Sequence, residues 1–147
     1  MADPLPSEVK QLVDRPNFAH LATLMSDGSP HSAPVWISRE GDLLFVCTGA
    51  GSHKGKNTAR DPRVSLSIVE FVDPYTEVQI RGRVVEQRPD PELKYYDAMS
   101  LKYIGKLWPY RDEKEPIVLV LEVTKAHYSK QPFEHAPRRM GLTEPQS

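Results

Sequence analysis

Proline occupies 14 of the 147 positions, and its placement confines this chain to short stretches of regular structure. A proline in a helix interior or a central strand forfeits a backbone donor, so prolines mark boundaries. Between them lie runs that are apolar with a period of two. Arg63 to Glu70 (RVSLSIVE) sets Val64, Leu66 and Ile68 against Ser65 and Ser67, and Thr76 to Gln87 sets Val78, Ile80 and Val84 against Gln79, Arg81 and Arg83. That period belongs to a strand with one buried face. Gly82 falls on the apolar face, where a glycine marks a bulge, a tight bend or close approach by another group.

Three further runs read as strands: Phe18 to Met25, Leu43 to Thr48 (LLFVCT), and the stretch after Pro116 (IVLVLEVTKAHY). Ser26-Asp27-Gly28-Ser29 supplies a hairpin turn after the first. His31 to Ser38 reads as one more strand, and Pro34 within it implies an edge or a bulge. Three helices are expected. Ser7 caps one over Glu8 to Val13, Ser52 caps one from His53 through Arg60, and Asp90-Pro91-Glu92 opens one running to about Leu107. About six hairpin-connected strands with peripheral helices fit a small antiparallel β-barrel, a mainly β fold, better than a doubly wound sheet. LLFVCT and IVLVL are apolar on both faces, from which a large homodimer interface is inferred.

Composition narrows the function. An apolar fraction of 39% excludes a disordered chain, and a net charge of −1 with a pI near 6.5 argues against a nucleic-acid binder acting through overall charge. No apolar run is long enough to span a membrane, and Asp3, Glu8 and Asp14 interrupt the segment where a secretory signal would lie, so the expected place is cytoplasmic. Cys47 is the single cysteine, and the 5 histidines show no short ligand spacing. No metal site is expected, and no residue is assigned a catalytic role. The expected organisation is one domain over residues 1–128, followed by an extended or disordered tail over 129–147.

The segment TGAGSHKGKNTARDPR, Thr48 to Arg63, carries the clearest chemistry. Lys54, Lys56, Arg60 and Arg63 against Asp61 leave a local charge of +3 in an almost neutral chain. Glycines, a hydroxyl residue and lysines open a helix there, where free amides and the helix dipole attract an anion such as phosphate. A Walker A loop does not fit, since Ala50 stands where its first glycine should be and Asn57 replaces the magnesium-binding hydroxyl. The plainer reading is a turn followed by a solvated helix. The second feature is PHSAPVWIS. Pro34 removes one ladder donor, which frees backbone near Val35 and Trp36 to meet a flat heterocycle, with Trp36 as apolar surface beside it; alternatively Val35 and Ile37 are core and Trp36 is a contact between copies. Tyr95, Tyr96, Met99 and Tyr103 recur at helical spacing with Trp108 following, a stripe that serves either packing or an aromatic lid.

FAHLATLMSDGSPHSAPVWIS, GDLLFVCT, KGKNTARDPRVSLSIVE and VQIRGRVVE together resemble the pyridoxamine 5'-phosphate oxidase-like split-barrel family, and within it the deazaflavin (F-420) dependent branch. The resemblance implies a homodimer of six-stranded, FMN-binding-like split barrels with cofactors in grooves between subunits. It implies that Ala33, Pro34, Val35, Trp36 and Ile37 contact the cofactor ring, and that Thr48, Ser52, Lys54 and Asn57 hold its phosphate. Many relatives place an arginine where this chain has Ser52, a lost charge that His53 or Lys56 could offset. The implied activity is hydride transfer from a reduced deazaflavin to an electron-poor small-molecule substrate. An FMN-binding flavoprotein and a noncatalytic carrier are the alternatives.

Overall fold

A computed structural model describes residues 4–136. Its elements run α1 (Ser7–Asp14), β1 (Ala19–Leu24), β2 (Pro30–Val35), β3 (Ser38–Glu40), β4 (Leu43–Gly49), α2 (His53–Arg60), β5 (Arg63–Val69), β6 (Thr76–Pro89), α3 (Lys94–Ile104) and β7 (Pro116–Lys130). All strands join one antiparallel sheet in the order β2-β1-β5-β6-β7-β4-β3. The sheet has 7 strands where about six are expected, because the run His31 to Ser38 splits. Its first half pairs with β1 at one edge of the sheet and its continuation pairs with β4 at the other. Only Trp36 and Ile37 separate the two, so the sheet has to curl until its edges nearly meet. No ladder closes the gap among the described residues.

The period-two runs explain what fills this curl. Leu21, Leu66, Ile68, Val78, Ile80 and Leu121 face inward, and α1 seals one end with Val9, Leu12 and Val13. The opposite face of β4 and β7 is also covered: Phe45, Val118 and Val120 pack against Met99 of α3, and Tyr95 meets the Phe45 ring edge-on at 5.5 Å. One helix of the same chain therefore buries the second apolar face of LLFVCT and IVLVL. Two apolar faces on these strands are no argument for a second copy.

Helix starts differ from expectation in instructive ways. Ser7 is the first helical residue of α1 rather than its cap, with Pro6 at the cap position and no capping side chain. Ser52 does cap α2, accepting from the Gly55 amide at 3.1 Å. Asp90 caps α3 from a distance: a turn intervenes, Leu93 takes φ 60°, and the Asp90 carboxylate accepts the Tyr95 and Tyr96 amides at 3.1 Å each. Pro91 and Glu92 thus precede the helix, which ends at Ile104 on the left-handed Gly105. Gly82 sits at a register shift between β6 and β7, with Val64 opposite it on β5.

The final strand runs through Lys130, two residues into the expected tail. Residues 131–136 have no regular structure, and the Gln131 amide donates to the Tyr75 carbonyl at 3.0 Å. The rest of the expected tail lies outside the described residues. No helix among the described residues is long and apolar enough to cross a membrane.

Lys102 of α3 ties that helix to α1 and to the crossing between β2 and β3. Its ammonium donates to the carbonyls of Val13 and Ile37, each at 2.5 Å, and burial pulls its pKa down from 10.5 to about 8. Between those values the unfolded chain binds more protons than the folded one, so Lys102 lowers stability at neutral pH and this penalty fades as pH rises through the window. The stability of the native protein relative to Lys102→Met, measured by urea unfolding, should therefore shift in favour of the native protein by on the order of 1–2 kcal/mol between pH 7 and pH 9.5. An unchanged difference would show that the ammonium is fully hydrated.

Candidate functional site

The site forms where the chain crosses the gap in the sheet. Pro34 is tolerated because β2 is an edge strand, and its partner is His20 of β1. After Val35 the ladder stops. The Ile37 amide, which has no strand partner, donates to the Tyr103 hydroxyl at 3.0 Å, and that hydroxyl donates to the Asn17 carbonyl at 2.5 Å. The Trp36 indole lies parallel to the Tyr103 ring, at 5.0 Å and 10°, and edge-on to Trp108 at 5.7 Å.

Beside this crossing is a cavity of about 300 Å³, at the low end for a small-molecule site. Pro34, Val35 and Trp36 form one wall, Cys47 of β4 contributes from the sheet, Tyr96 and Met99 come from α3, and Phe18, Trp108 and Lys54 complete the lining. Trp108 is fixed from three sides: its amide donates to Asp97 at 3.0 Å, its indole N–H to Glu113 at 3.2 Å, and Arg111 bridges Asp97 and the Trp108 carbonyl.

Lys54 reaches the cavity from the start of α2. The Ser52 hydroxyl donates to the Gly49 carbonyl at 2.8 Å and accepts from the Gly55 amide, so the Thr48 hydroxyl, 2.8 Å away, must donate to it. The amides of Gly55 and Lys56 are therefore taken, the latter by the Ser52 carbonyl. Those of His53 and Lys54 have no acceptor among the described residues, and with the Lys54 ammonium they offer an anion two N–H groups and a charge. Gly55 is required here by close packing: a methyl on it would lie 2.6 Å from the carbonyl oxygens of both Gly49 and Ala50.

The structure brings together four of the residues that the resemblance assigns to the cofactor: Pro34, Val35, Trp36 and Lys54. Ala33 is half-buried opposite Leu21, and the Ile37 side chain is buried in the core inside the curled sheet, so neither lines the cavity. Thr48 and Ser52 spend their hydroxyls on the turn. Asn57 is 2% exposed and donates to Thr23 Oγ1 at 2.9 Å while accepting from Arg60, so its side chain anchors α2 to β1. Lys56 is exposed, and His53 lies 5.2 Å from the His31 ring. Of the local cations, Arg63 is paired with Asp61 at 2.8 Å and Arg60 is bound to the Leu24 carbonyl, so the charge of this segment reaches the cavity through Lys54.

Sequence reasoning gives no site role to Phe18 or Cys47, while Tyr96, Met99 and Trp108 are legible only as a stripe serving packing or a lid. They do both, since Met99 packs on Phe45 and also faces the cavity. Burial pushes the Cys47 thiol and the Tyr96 hydroxyl well above their ordinary values, so both are neutral at physiological pH. Lys54 is the one cation among the lining residues, and no lining residue is a carboxylate. Such a cavity suits a flat, largely apolar ring with an anionic end.

A profile described as pyridoxamine 5'-phosphate oxidase matches residues 5–130. The chain belongs to this family. No curated protein matches the sequence. Among solved structures, an F-420 reductase is 28% identical, with a TM-score of 0.77, over 84% of this chain and 98% of its own. A conserved hypothetical protein of Mycobacterium tuberculosis is 21% identical with a TM-score of 0.71, covering 100% of this chain and 95% of its own, and a heme binding protein of Mycobacterium smegmatis is 24% identical with a TM-score of 0.63, over 88% of this chain and 57% of its own. The last two speak to the fold alone. The family read from the sequence motifs, with its F-420-related branch, is borne out.

Proposed function

We propose that this chain is an oxidoreductase that binds F-420, a deazaflavin, and reduces an electron-poor conjugated small molecule. The observation that carries the reading is that one cavity is lined by Pro34, Val35 and Trp36 on one side and by Lys54 at a helix start on another. Its lining is mostly apolar and aromatic, which fits a tricyclic ring, and the open amides of His53 and Lys54 fit a phosphoryl group. The 28% identity to an F-420 reductase over nearly that protein's whole length favours the deazaflavin over FMN.

When bound, the reduced deazaflavin supplies a hydride. The chain's own part is binding and exclusion. Trp36 and the backbone of Pro34 and Val35 present a flat surface to the ring, Lys54 and the two amides hold the phosphate, and Trp108, Tyr96 and Met99 keep water from the opposite side. Cys47 and Tyr96 stay protonated near neutral pH, so neither offers a base to the reaction. The proposal includes a homodimer in which a second copy covers the cavity's open side. It is supported by Phe18, a lining residue 44% exposed, and by Phe71, which packs on it and is 73% exposed.

Fluorescence titration of the purified protein with F-420 and with FMN tests the cofactor, and turnover of quinones with reduced F-420 separates an enzyme from a carrier. Saturable F-420 binding, much weaker FMN binding and quinone reduction are expected; tight FMN binding with none for F-420 would reject the reading. Lys54→Ala should weaken F-420 binding by about 1.5–3 kcal/mol, the range for a charge-assisted hydrogen bond. An unchanged Kd would remove Lys54 from the phosphate.

A further inference from the structure

A residue outside the lining supports two of the cavity's walls. Tyr103, on α3, stands behind two walls at once. Its ring lies parallel to Trp36 at 5.0 Å and meets Phe18 at 6.0 Å, and both of those side chains face the cavity. Its hydroxyl accepts from the Ile37 amide at 3.0 Å and donates to the Asn17 carbonyl at 2.5 Å. Each of those backbone groups is adjacent in the chain to the wall residue that the Tyr103 ring supports. Lys102 completes the clamp by donating to the Ile37 carbonyl.

The Trp36–Ile37 crossing needs such a clamp because it has no ladder of its own. It leaves β2 at one edge of the sheet and enters β3 at the other, so Tyr103 and Lys102 replace the strand partners that the Ile37 amide and carbonyl lack. Without the phenol, the amide would be left unpaired in a half-buried place, and the crossing would relax toward solvent.

From this geometry we infer that Tyr103 is a positioning residue for the site: it sets the spacing between the Phe18 and Trp36 walls and so decides which flat ring the cavity admits. The inference rests on the reading of the cavity as a ring-binding site, and it makes a structural claim that is testable without ligand. Tyr103→Phe keeps the stacking and removes both hydrogen bonds of the hydroxyl. Tyr103→Leu removes the stacking as well.

In ligand-free protein, Tyr103→Phe should accelerate hydrogen exchange of the Ile37 amide by about fivefold or more while leaving core amides such as Leu119 unchanged. In a Trp108→Phe background, where Trp36 is the remaining tryptophan, it should also shift the Trp36 emission. For F-420, the Kd should rise by about fivefold to tenfold for Tyr103→Phe and further for Tyr103→Leu, with Ile104→Ala, an exposed neighbour on α3, serving as control. Unchanged Ile37 exchange and unchanged Trp36 emission in Tyr103→Phe would overturn the positioning role. If the native protein bound neither F-420 nor FMN, the functional reading would fail, while the exchange and emission results would still decide the role of Tyr103. If Tyr103→Leu does not fold, Tyr103→Phe alone carries the test.

Discussion

Gly82→Ala is expected to cost about 3 kcal/mol of stability, which for a domain of this size lowers the midpoint of thermal unfolding by roughly 6–12 °C. Gly82 lies where β6 and β7 shift register, and a methyl group there would overlap the carbonyl oxygen of Glu122 on β7. The obstacle is main chain in the longest strand pair of the molecule, so no side-chain rotation can relieve it. To make room, β7 has to move away from β6, and with it go Val123 beside the contact and the inward-facing Leu121. Valine or leucine at the same position should prevent folding. Calorimetry on the alanine variant checks this, and a midpoint within 2 °C of the native protein, about the effect of a fraction of a kcal/mol, would show that the strands separate there at little cost.

Gly55→Ala should damage function more than stability. Alanine is the better helix former by about 1 kcal/mol, a gain that offsets part of an overpacking cost of about 3 kcal/mol, for a net loss of about 2 kcal/mol. The methyl would sit 2.6 Å from each of two carbonyl oxygens, those of Gly49 and Ala50, so α2 has to withdraw from the turn that precedes it. That turn and helix start hold the Ser52 cap, the open amides of His53 and Lys54, and Lys54 itself. A displacement of a few tenths of an ångström spoils several N–H geometries together, and F-420 affinity should fall by about tenfold to a hundredfold, the equivalent of one or two hydrogen bonds. Titration of the folded variant, well below its unfolding midpoint, gives the result. Native affinity in that variant would mean that the anion does not sit at this helix start.

Much of the sheet is legible in the sequence because several of its strands are one-sided. RVSLSIVE and the Val78, Ile80, Val84 run announce their buried faces by period alone, and Ser52 with Asp61-Pro62 bounds α2 as the sequence implies. What escaped were features set by distant residues. The break at Trp36–Ile37 is invisible in PHSAPVWIS, because nothing local says that β2 and β3 lie at opposite edges of the sheet. Asp90 has the chemistry of an adjacent cap, yet Leu93 adopts a left-handed conformation and the carboxylate reaches two amides beyond it. The second apolar face of LLFVCT suggests a contact with another copy, but α3, distant in sequence, covers it.

The site divides in the same way. Pro34, Val35, Trp36 and Lys54, which line one cavity, stand out in the sequence because edge prolines and charged helix starts have local signatures. Asn57 shows how chemistry can mislead: it sits beside the lysines in sequence, but its amide is spent holding Thr23 and Arg60. Tyr103 is legible in the sequence only as part of the aromatic stripe, and Lys102 not at all, since the groups they satisfy belong to Ile37, Asn17 and Val13, more than 60 residues away.

A crystal structure of the protein soaked with F-420 tests the central claim most directly. The account predicts the deazaflavin ring against Pro34, Val35 and Trp36, with its phosphate within hydrogen-bond reach of the Lys54 ammonium and the amides of His53 and Lys54. Density for the ring elsewhere, with this cavity filled only by water and Lys54 pointing to solvent, would contradict it.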